Sequence, residues 1–150
     1  PDQRARRDAS AWTTVQGVLA PAQFLAFAVS LVLVLRFLVT GEGYAVATAS
    51  ILVKTVLLCA IMVTGAIWEK VVFGQYLFAP AFFWEDVFSL AVIGLHTAYL
   101  WALWAGAMAP DGLMLLALAA YAAYAINAAQ FIWKLRLARL DAAGPPRVTA

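Results

Sequence analysis

The sequence predicts an all-α integral membrane protein, a four-helix bundle that runs up-down-up-down across the bilayer. Three observations predict it. Of the 150 residues, 65% are hydrophobic and only 12% are charged, about half the roughly 25% charged share of an ordinary soluble domain. The mean hydropathy is +0.88, which leaves too little polar surface to coat a water-facing globule. The apolar residues also gather into four runs, about 17–39, 44–68, 87–109 and 113–133. Each is long enough to cross a hydrocarbon core about 30 Å thick, which takes about 20 helical residues.

Residues 1–12 are polar and basic, and Ser10 suits the N-cap of a helix starting near Ala11. The first run, Gly17 to Val39, carries Pro21 in its first turns, where a kink is tolerable in a membrane helix. Arg36 lies near its far end and can snorkel to the headgroups. The run is too long for a signal peptide and lacks a small-residue cleavage site, so it is read as a retained span. Gly41-Glu42-Gly43 is a tight turn. The second run, Tyr44 to Trp68, has Lys54 near its middle, and the third, Val87 to Ala109, has His96 near its middle. Pro110-Asp111-Gly112 turns the chain into the fourth run, Leu113 to Trp133, with Asn127 and Gln130 in its last third. Residues 141–150, with Gly144-Pro145-Pro146, read as a flexible tail. The whole chain, 1–150, reads as a single transmembrane domain.

Charge sets the orientation. Arg4, Arg6, Arg7, Lys134, Arg136, Arg139 and Arg147 flank the spans, while the turns at 41–43 and 110–112 carry only Glu42 and Asp111. The positive-inside rule then puts both termini in the cytoplasm, and with them the segment 69–86. The net charge of +2 and the pI of about 9.0 are topology signals on this reading, not a nucleic-acid footprint. Cys59 is the only cysteine, which excludes an internal disulfide and a thiolate metal cluster. The connection between the second and third runs is unusual. A solvated loop should be polar, yet residues 71–84 are aromatic and apolar, with charges only at the flanks. Gly74 and Pro80 rule out one straight helix. The segment is expected to lie in the interface or dip into the bundle.

Ionisable groups inside a membrane are costly and usually functional. Lys54 and His96 are each about 15 Å in from the ends of their runs, near the midplane. Glu69 and Lys70 end the second run; Glu85 and Asp86 begin the third. Glu85, Ser89, His96 and Tyr99 share one helix face, a polar line from a carboxylate at the interface to an imidazole at depth. Plainer readings stand beside these. His96 is compatible with a paired core histidine, and Lys54 with structural glue or a water-filled cavity. Glu69, Lys70, Glu85 and Asp86 are compatible with interfacial charges that end two spans. The acids at the start of the third helix suit its dipole. Trp12, Trp68, Trp84 and Trp133 fit an aromatic belt, and Asn127 and Gln130 fit interhelical hydrogen bonds. No glycine loop can cradle phosphate, no Cys/His spacing suits zinc, and no Ser or Cys has a base at helical spacing.

Three stretches carry a resemblance. Residues 63–86, VTGAIWEKVVFGQYLFAPAFFWED, are the longest; Trp12 with Val15-Gln16-Gly17-Val18-Leu19-Ala20-Pro21 and His96-Thr97-Ala98-Tyr99-Leu100-Trp101 are the others. Together with the fourth span through Asn127, Gln130 and Phe131, they closely resemble the 3-vinyl bacteriochlorophyllide hydratase family of purple phototrophic bacteria. The likeness covers nearly the whole chain apart from its C-terminal tail. It implies a hydro-lyase that adds water to the 3-vinyl group of chlorophyllide a or a bacteriochlorophyllide, giving a 3-(1-hydroxyethyl) product on the route to bacteriochlorophyll a. It implies no cofactor beyond the substrate's own magnesium, and a multi-pass place in the bacterial inner (intracytoplasmic) membrane. The expected partners are the pigment substrate and lipid, with a homo-oligomer or other enzymes of the route beside them.

The implied chemistry then assigns roles. Vinyl hydration needs an acid, a base or water-positioning group, and a flat apolar pocket. Glu85 and Asp86 are candidates for the acid, because burial against Phe82, Phe83 and Trp84 raises a carboxyl pKa. Glu69 is the candidate base. Tyr76, Phe82, Phe83 and Trp84 are candidates to hold the macrocycle, with Lys54 and Asn127 as further substrate contacts. His96 is a candidate axial ligand to the substrate magnesium or donor to a ring carbonyl. Lys70 or a terminal Arg is a candidate partner for the propionate. The alternative is a non-catalytic bacteriochlorophyll-binding or scaffold subunit of a photosynthetic complex, which needs His96 but not Glu69, Glu85 and Asp86. A small transporter with Lys54 and His96 on a proton path is a third reading, and four spans without an internal repeat speak against it.

Overall fold

The computed structural model describes residues 2–144 and is all-helical among them. A short helix, α1 (Asp2–Ala9), precedes four long ones: α2 (Ala11–Thr40), α3 (Tyr44–Phe73), α4 (Phe83–Ala105) and α5 (Pro110–Ala143). The four long helices are long and apolar enough to cross a membrane.

Local chemistry sets the boundaries. Ser10 caps α2 through its hydroxyl, which accepts from the Trp12 N–H at 3.2 Å. Gly74 ends α3 in the left-handed region at φ +85°, and its N–H donates back to the Lys70 carbonyl at 3.0 Å. Pro110 occupies the first turn of α5, where its missing N–H costs nothing. α2 continues through Pro21.

The helices differ from the apolar runs at several ends. α1 is not expected from composition. It is anchored by Arg6, which donates from Nε and Nη2 to the Val72 carbonyl at 3.0 and 2.9 Å and so satisfies one of the last carbonyls of α3. α4 starts four residues before the third apolar run and ends at Ala105, because Gly106 turns left-handed there at φ +64°. α5 carries on to Ala143, past Trp133 and into the segment read as a tail; residues 145–150 of that tail lie outside the described ones. At about 1.5 Å per residue α5 is about 51 Å long, well beyond a hydrocarbon core.

α2 packs mainly along α3 and α4 along α5, with thinner contacts joining α2 to α5 and α3 to α4. Small residues at the seams, Ala47, Ala102, Ala117 and Ala120, let the backbones approach closely. One core cluster holds Val34, Ile51, Met114 and Tyr121; a second holds Leu58, Val92 and Tyr124. Val18, Leu25, Val32, Val56 and Val63 are exposed, as expected of a surface solvated by lipid tails. The polar residues run the opposite way: Glu85, Ser89, His96 and Tyr99 of α4 are all buried, which confirms their shared inward face.

Candidate functional site

Two groups of buried polar side chains stand out. The first lies at depth. The Lys54 Nζ is 3.1 Å from the His96 Nε2, and the His96 Nδ1 is 2.8 Å from the Val92 carbonyl oxygen. A carbonyl only accepts, so Nδ1 carries a proton and Nε2 accepts from lysine. Both side chains are essentially unexposed, 0% for Lys54 and 1% for His96. The lysine head also sits against the rings of Tyr124 at 4.1 Å, Tyr121 at 4.8 Å and Phe27 at 5.9 Å. Those rings come from α2 and α5, and their quadrupoles stabilise a cation that water does not reach. The Tyr121 hydroxyl is in turn hydrogen-bonded to Ser30, and Ser30 to Ser50 at 2.8 Å.

The second group lies at the α3–α4 junction. Glu69, 5% exposed, and Asp86, 5% exposed, face one another across it. Two acids held side by side out of water favour sharing one proton between them over both being charged. The segment 74–82 folds over this pair. The Phe78 N–H donates to the Asp86 Oδ2 at 2.8 Å, and the Ala79 N–H to the Glu69 Oε2 at 3.4 Å. Phe78 is held left-handed at φ +61°, an unfavourable state for a bulky side chain that the bond to Asp86 helps to enforce.

Glu85 is beside the pair in sequence but bonded elsewhere. Its Oε1 is 2.9 Å from the Lys134 Nζ of α5. Lys134 also donates to the Ala81 carbonyl and lies 4.9 Å from the Phe82 ring centroid. Asn127 donates to the Glu85 backbone carbonyl at 3.0 Å, and the Ser89 hydroxyl lies between that carbonyl (2.8 Å) and the Asn127 Oδ1 (3.0 Å). Asn127 is thus a brace between α4 and α5.

The aromatic residues divide. Phe82 turns inward, with ring centroids 5.6 Å from Trp68, 5.7 Å from Phe73 and 5.8 Å from Phe131. Tyr76, Phe83 and Trp84 are exposed; Phe83 packs on Phe78 and Trp84, forming an outer aromatic edge. Lys70 is exposed too, and donates to the Gly74 carbonyl at 2.9 Å beside the Tyr76 ring.

The sequence-derived candidates therefore separate. Glu69, Asp86 and Phe82 come together at one junction, with Glu85 on its α5 side. Lys54 and His96 form their own unit at depth, in which each His96 nitrogen is already engaged. Lys134 reads from the sequence only as a topology charge, and Phe27, Tyr121 and Tyr124 carry no sequence signal that sets them apart. No spacing rule links residues on three different helices.

The geometry can be set beside known proteins. A family model described as 2-vinyl bacteriochlorophyllide hydratase (BCHF) matches residues 1–137. A 2-vinyl bacteriochlorophyllide hydratase of Cereibacter sphaeroides is 75% identical over 141 residues, covering 93% of this chain and 87% of the relative. A protein of the same name from Rhodobacter capsulatus is 74% identical over 143 residues, covering 95% and 82%. No solved structure matches the chain. Family match and relatives agree along nearly the whole length, and the chain belongs to the 2-vinyl bacteriochlorophyllide hydratase family.

Proposed function

We propose that this chain is a hydro-lyase of bacteriochlorophyll biosynthesis, adding water to the vinyl group of a chlorophyllide or bacteriochlorophyllide, with the Glu69–Asp86 pair as its acid–base machinery. The vinyl group numbered 2 in the family's description and 3 in the sequence reading is one substituent under two numbering schemes. Family membership supports the reaction. The observation that carries the assignment of the pair is two buried carboxyls facing one another next to an inward aromatic box.

The step balances without redox chemistry. Glu69 delivers its proton to the terminal vinyl carbon, which becomes a methyl group. The cation left at the inner carbon is delocalised into the macrocycle. A water oxygen bonds to that carbon and releases one proton to the carboxyl pair, which returns to its starting charge. One water is added and no electrons are exchanged, so no cofactor is required. The sequence reading gave Asp86 or Glu85 as acid and Glu69 as base. The shorter backbone bond, 2.8 Å from the Phe78 N–H, goes to Asp86 and suits it as the acceptor of the pair, which leaves Glu69, bonded at 3.4 Å, as the acid; the bond to Lys134 leaves Glu85 a positioning role.

The macrocycle is assigned to the aromatic residues around 74–84, with Phe82 on the inner side and Tyr76, Phe83 and Trp84 at the entrance. Entry displaces two backbone bonds, from Phe78 and Ala79, and releases Phe78 from its left-handed state. Lys70 is the candidate partner for the propionate. Lys54, His96 and Asn127 take supporting roles, holding the bundle behind the site. The same reading places the helices up-down-up-down, both termini and the aromatic connection on the cytoplasmic side, and the protein in the bacterial inner (intracytoplasmic) membrane. Lipid is then its solvent, and further copies or neighbouring enzymes are candidate partners.

The test uses the full chain in membranes of a bacterium that makes no chlorophyll. Vinyl chlorophyllide added in ¹⁸O-labelled water should yield a product heavier by one labelled water. Bound pigment without product would contradict the enzyme reading and favour a non-catalytic pigment carrier.

A further inference from the structure

α1 and the start of α2 reach the α3–α4 junction through a continuous set of contacts. Arg6 donates twice to the Val72 carbonyl, which pins α1 to the last turn of α3. The Thr13 hydroxyl donates to the Arg7 carbonyl at 2.6 Å and accepts from the Trp68 indole N–H at 2.9 Å. A hydroxyl has one proton to give. Because α1 takes it, the oxygen faces Trp68 purely as an acceptor. The Trp68 ring, so held, packs edge-on against Phe73 and Phe82, with centroids 5.7 and 5.6 Å away, and Phe73 meets Phe82 at 5.7 Å. The backbone of Phe82 then leads to both acids. Its N–H donates to the Ala79 carbonyl at 2.8 Å, and the Ala79 N–H donates in turn to Glu69. Its carbonyl accepts from the Asp86 N–H at 2.9 Å.

The plainer roles of these residues do not call for this pairing. A topology charge needs no carbonyl partner, and a belt tryptophan turns its N–H to the wet side of the interface. The Trp68 N–H instead bonds across to another helix. The α2–α3 register does not depend on that bond either, because Gln16 donates to the Thr64 hydroxyl one turn deeper. We propose that Arg6, Thr13 and Trp68 form a positioning chain. In it α1 fixes the Trp68 ring as part of the inner aromatic wall and, through Phe82, holds the two carboxyls in their working arrangement. Arg6 and Thr13 act only through other residues. The role in catalysis rests on the reading that pigment is hydrated at this junction; the contacts do not. The N-terminal helix thereby gains a part in the site, where its composition shows only a basic flank.

Two measurements test it, both on the full chain in lipid nanodiscs. With ¹⁵N-labelled indole, the Trp68 Nε1–H resonance is identified by its loss in Trp68→Phe. It should shift in Thr13→Val, which keeps the shape and removes the hydroxyl, and return in Thr13→Ser. A resonance that does not move overturns the chain. In the hydration assay, Thr13→Val should lower kcat about five- to tenfold, the scale of a small misalignment, with KM for pigment unchanged. Thr13→Ser should restore the rate. Arg6→Met should shift the same resonance and lower kcat by a smaller factor, and Arg6→Lys, which keeps a donor for the Val72 carbonyl, should recover most of it. Wild-type kcat in Thr13→Val despite a shifted resonance overturns the positioning role. A raised KM at unchanged kcat in Arg6→Met would mean that the arginine meets the pigment carboxylate, and it overturns the chain as well. If Thr13→Val does not fold, Arg6→Met decides, since its side chain is exposed. A wild type whose Trp68 resonance responds as expected but which hydrates nothing would sink the hydratase reading, and the positioning role with it, and leave the contacts standing.

Discussion

The two buried polar groups confine charge by opposite means. At depth, Lys54 is enclosed by His96 and three aromatic rings, and each hydrogen-bonding atom of the histidine is used. Nothing there is strained, and nothing is free to meet a substrate without breaking the unit. At the α3–α4 junction two like groups face each other, roofed by a segment that keeps Phe78 left-handed. The first arrangement minimises the cost of burying charge; the second stores it. A perturbed carboxyl pair in a displaceable enclosure is what acid–base chemistry requires. A saturated lysine–histidine pair is what bundle specificity requires. The contrast teaches that depth in a membrane does not by itself mark the reacting group.

The contrast can be broken by substitution, and the largest effect belongs to the junction. Glu69→Gln and Asp86→Asn, made separately, should each lower the hydration rate about 100-fold or more, the scale of general acid–base catalysis, while pigment binding changes little. At depth the dominant effect should be on stability. Lys54→Met leaves the buried His96 Nε2 without a partner and should cost about 1–3 kcal/mol in thermal unfolding in lipid nanodiscs. The double variant Lys54→Met/His96→Leu should recover part of that loss. His96→Ala should bind pigment normally, since its nitrogens serve the lysine and the backbone.

A pH titration sharpens the same comparison. The reaction needs a proton on the carboxyl pair, so the hydration rate should decline as pH rises through the titration of that pair, and Glu69→Gln should remove this pH dependence from the residual rate. The smallest expected effect is at Lys134. Its head is partly exposed, so Lys134→Met should cost less than about 1 kcal/mol of stability and slow hydration a few-fold by loosening Glu85 and Ala81.

Much of the architecture was legible because it follows from short-range rules. Four apolar runs of bilayer length, and glycines at 41, 43 and 74 taking left-handed turns, need no tertiary information. The inward face through Glu85, Ser89, His96 and Tyr99 follows from helical spacing alone. The meeting of Glu69 with Asp86 followed from their places at adjoining helix ends. What stayed hidden depends on contacts between distant segments. α1 has no large apolar side chain and owes its docking to Arg6 reaching the end of α3. Lys134 looks like every other flanking basic residue until α5 places it against Glu85. The cage around Lys54 draws Phe27, Tyr121 and Tyr124 from two other helices. Residues 74–82 are not a regular helix, so no period could tell inward Phe82 from exposed Tyr76.

The central claim is that the facing carboxyls at the α3–α4 junction, and not the deep lysine–histidine pair, carry the reaction. The most direct measurement is a single-turnover hydration assay at matched pigment occupancy, comparing wild type with Glu69→Gln, Asp86→Asn and His96→Ala in the same membranes. The account predicts product from wild type and from His96→Ala at similar rates, and almost none from either carboxyl variant. Near-wild-type turnover in both carboxyl variants, with turnover lost in His96→Ala, would contradict it.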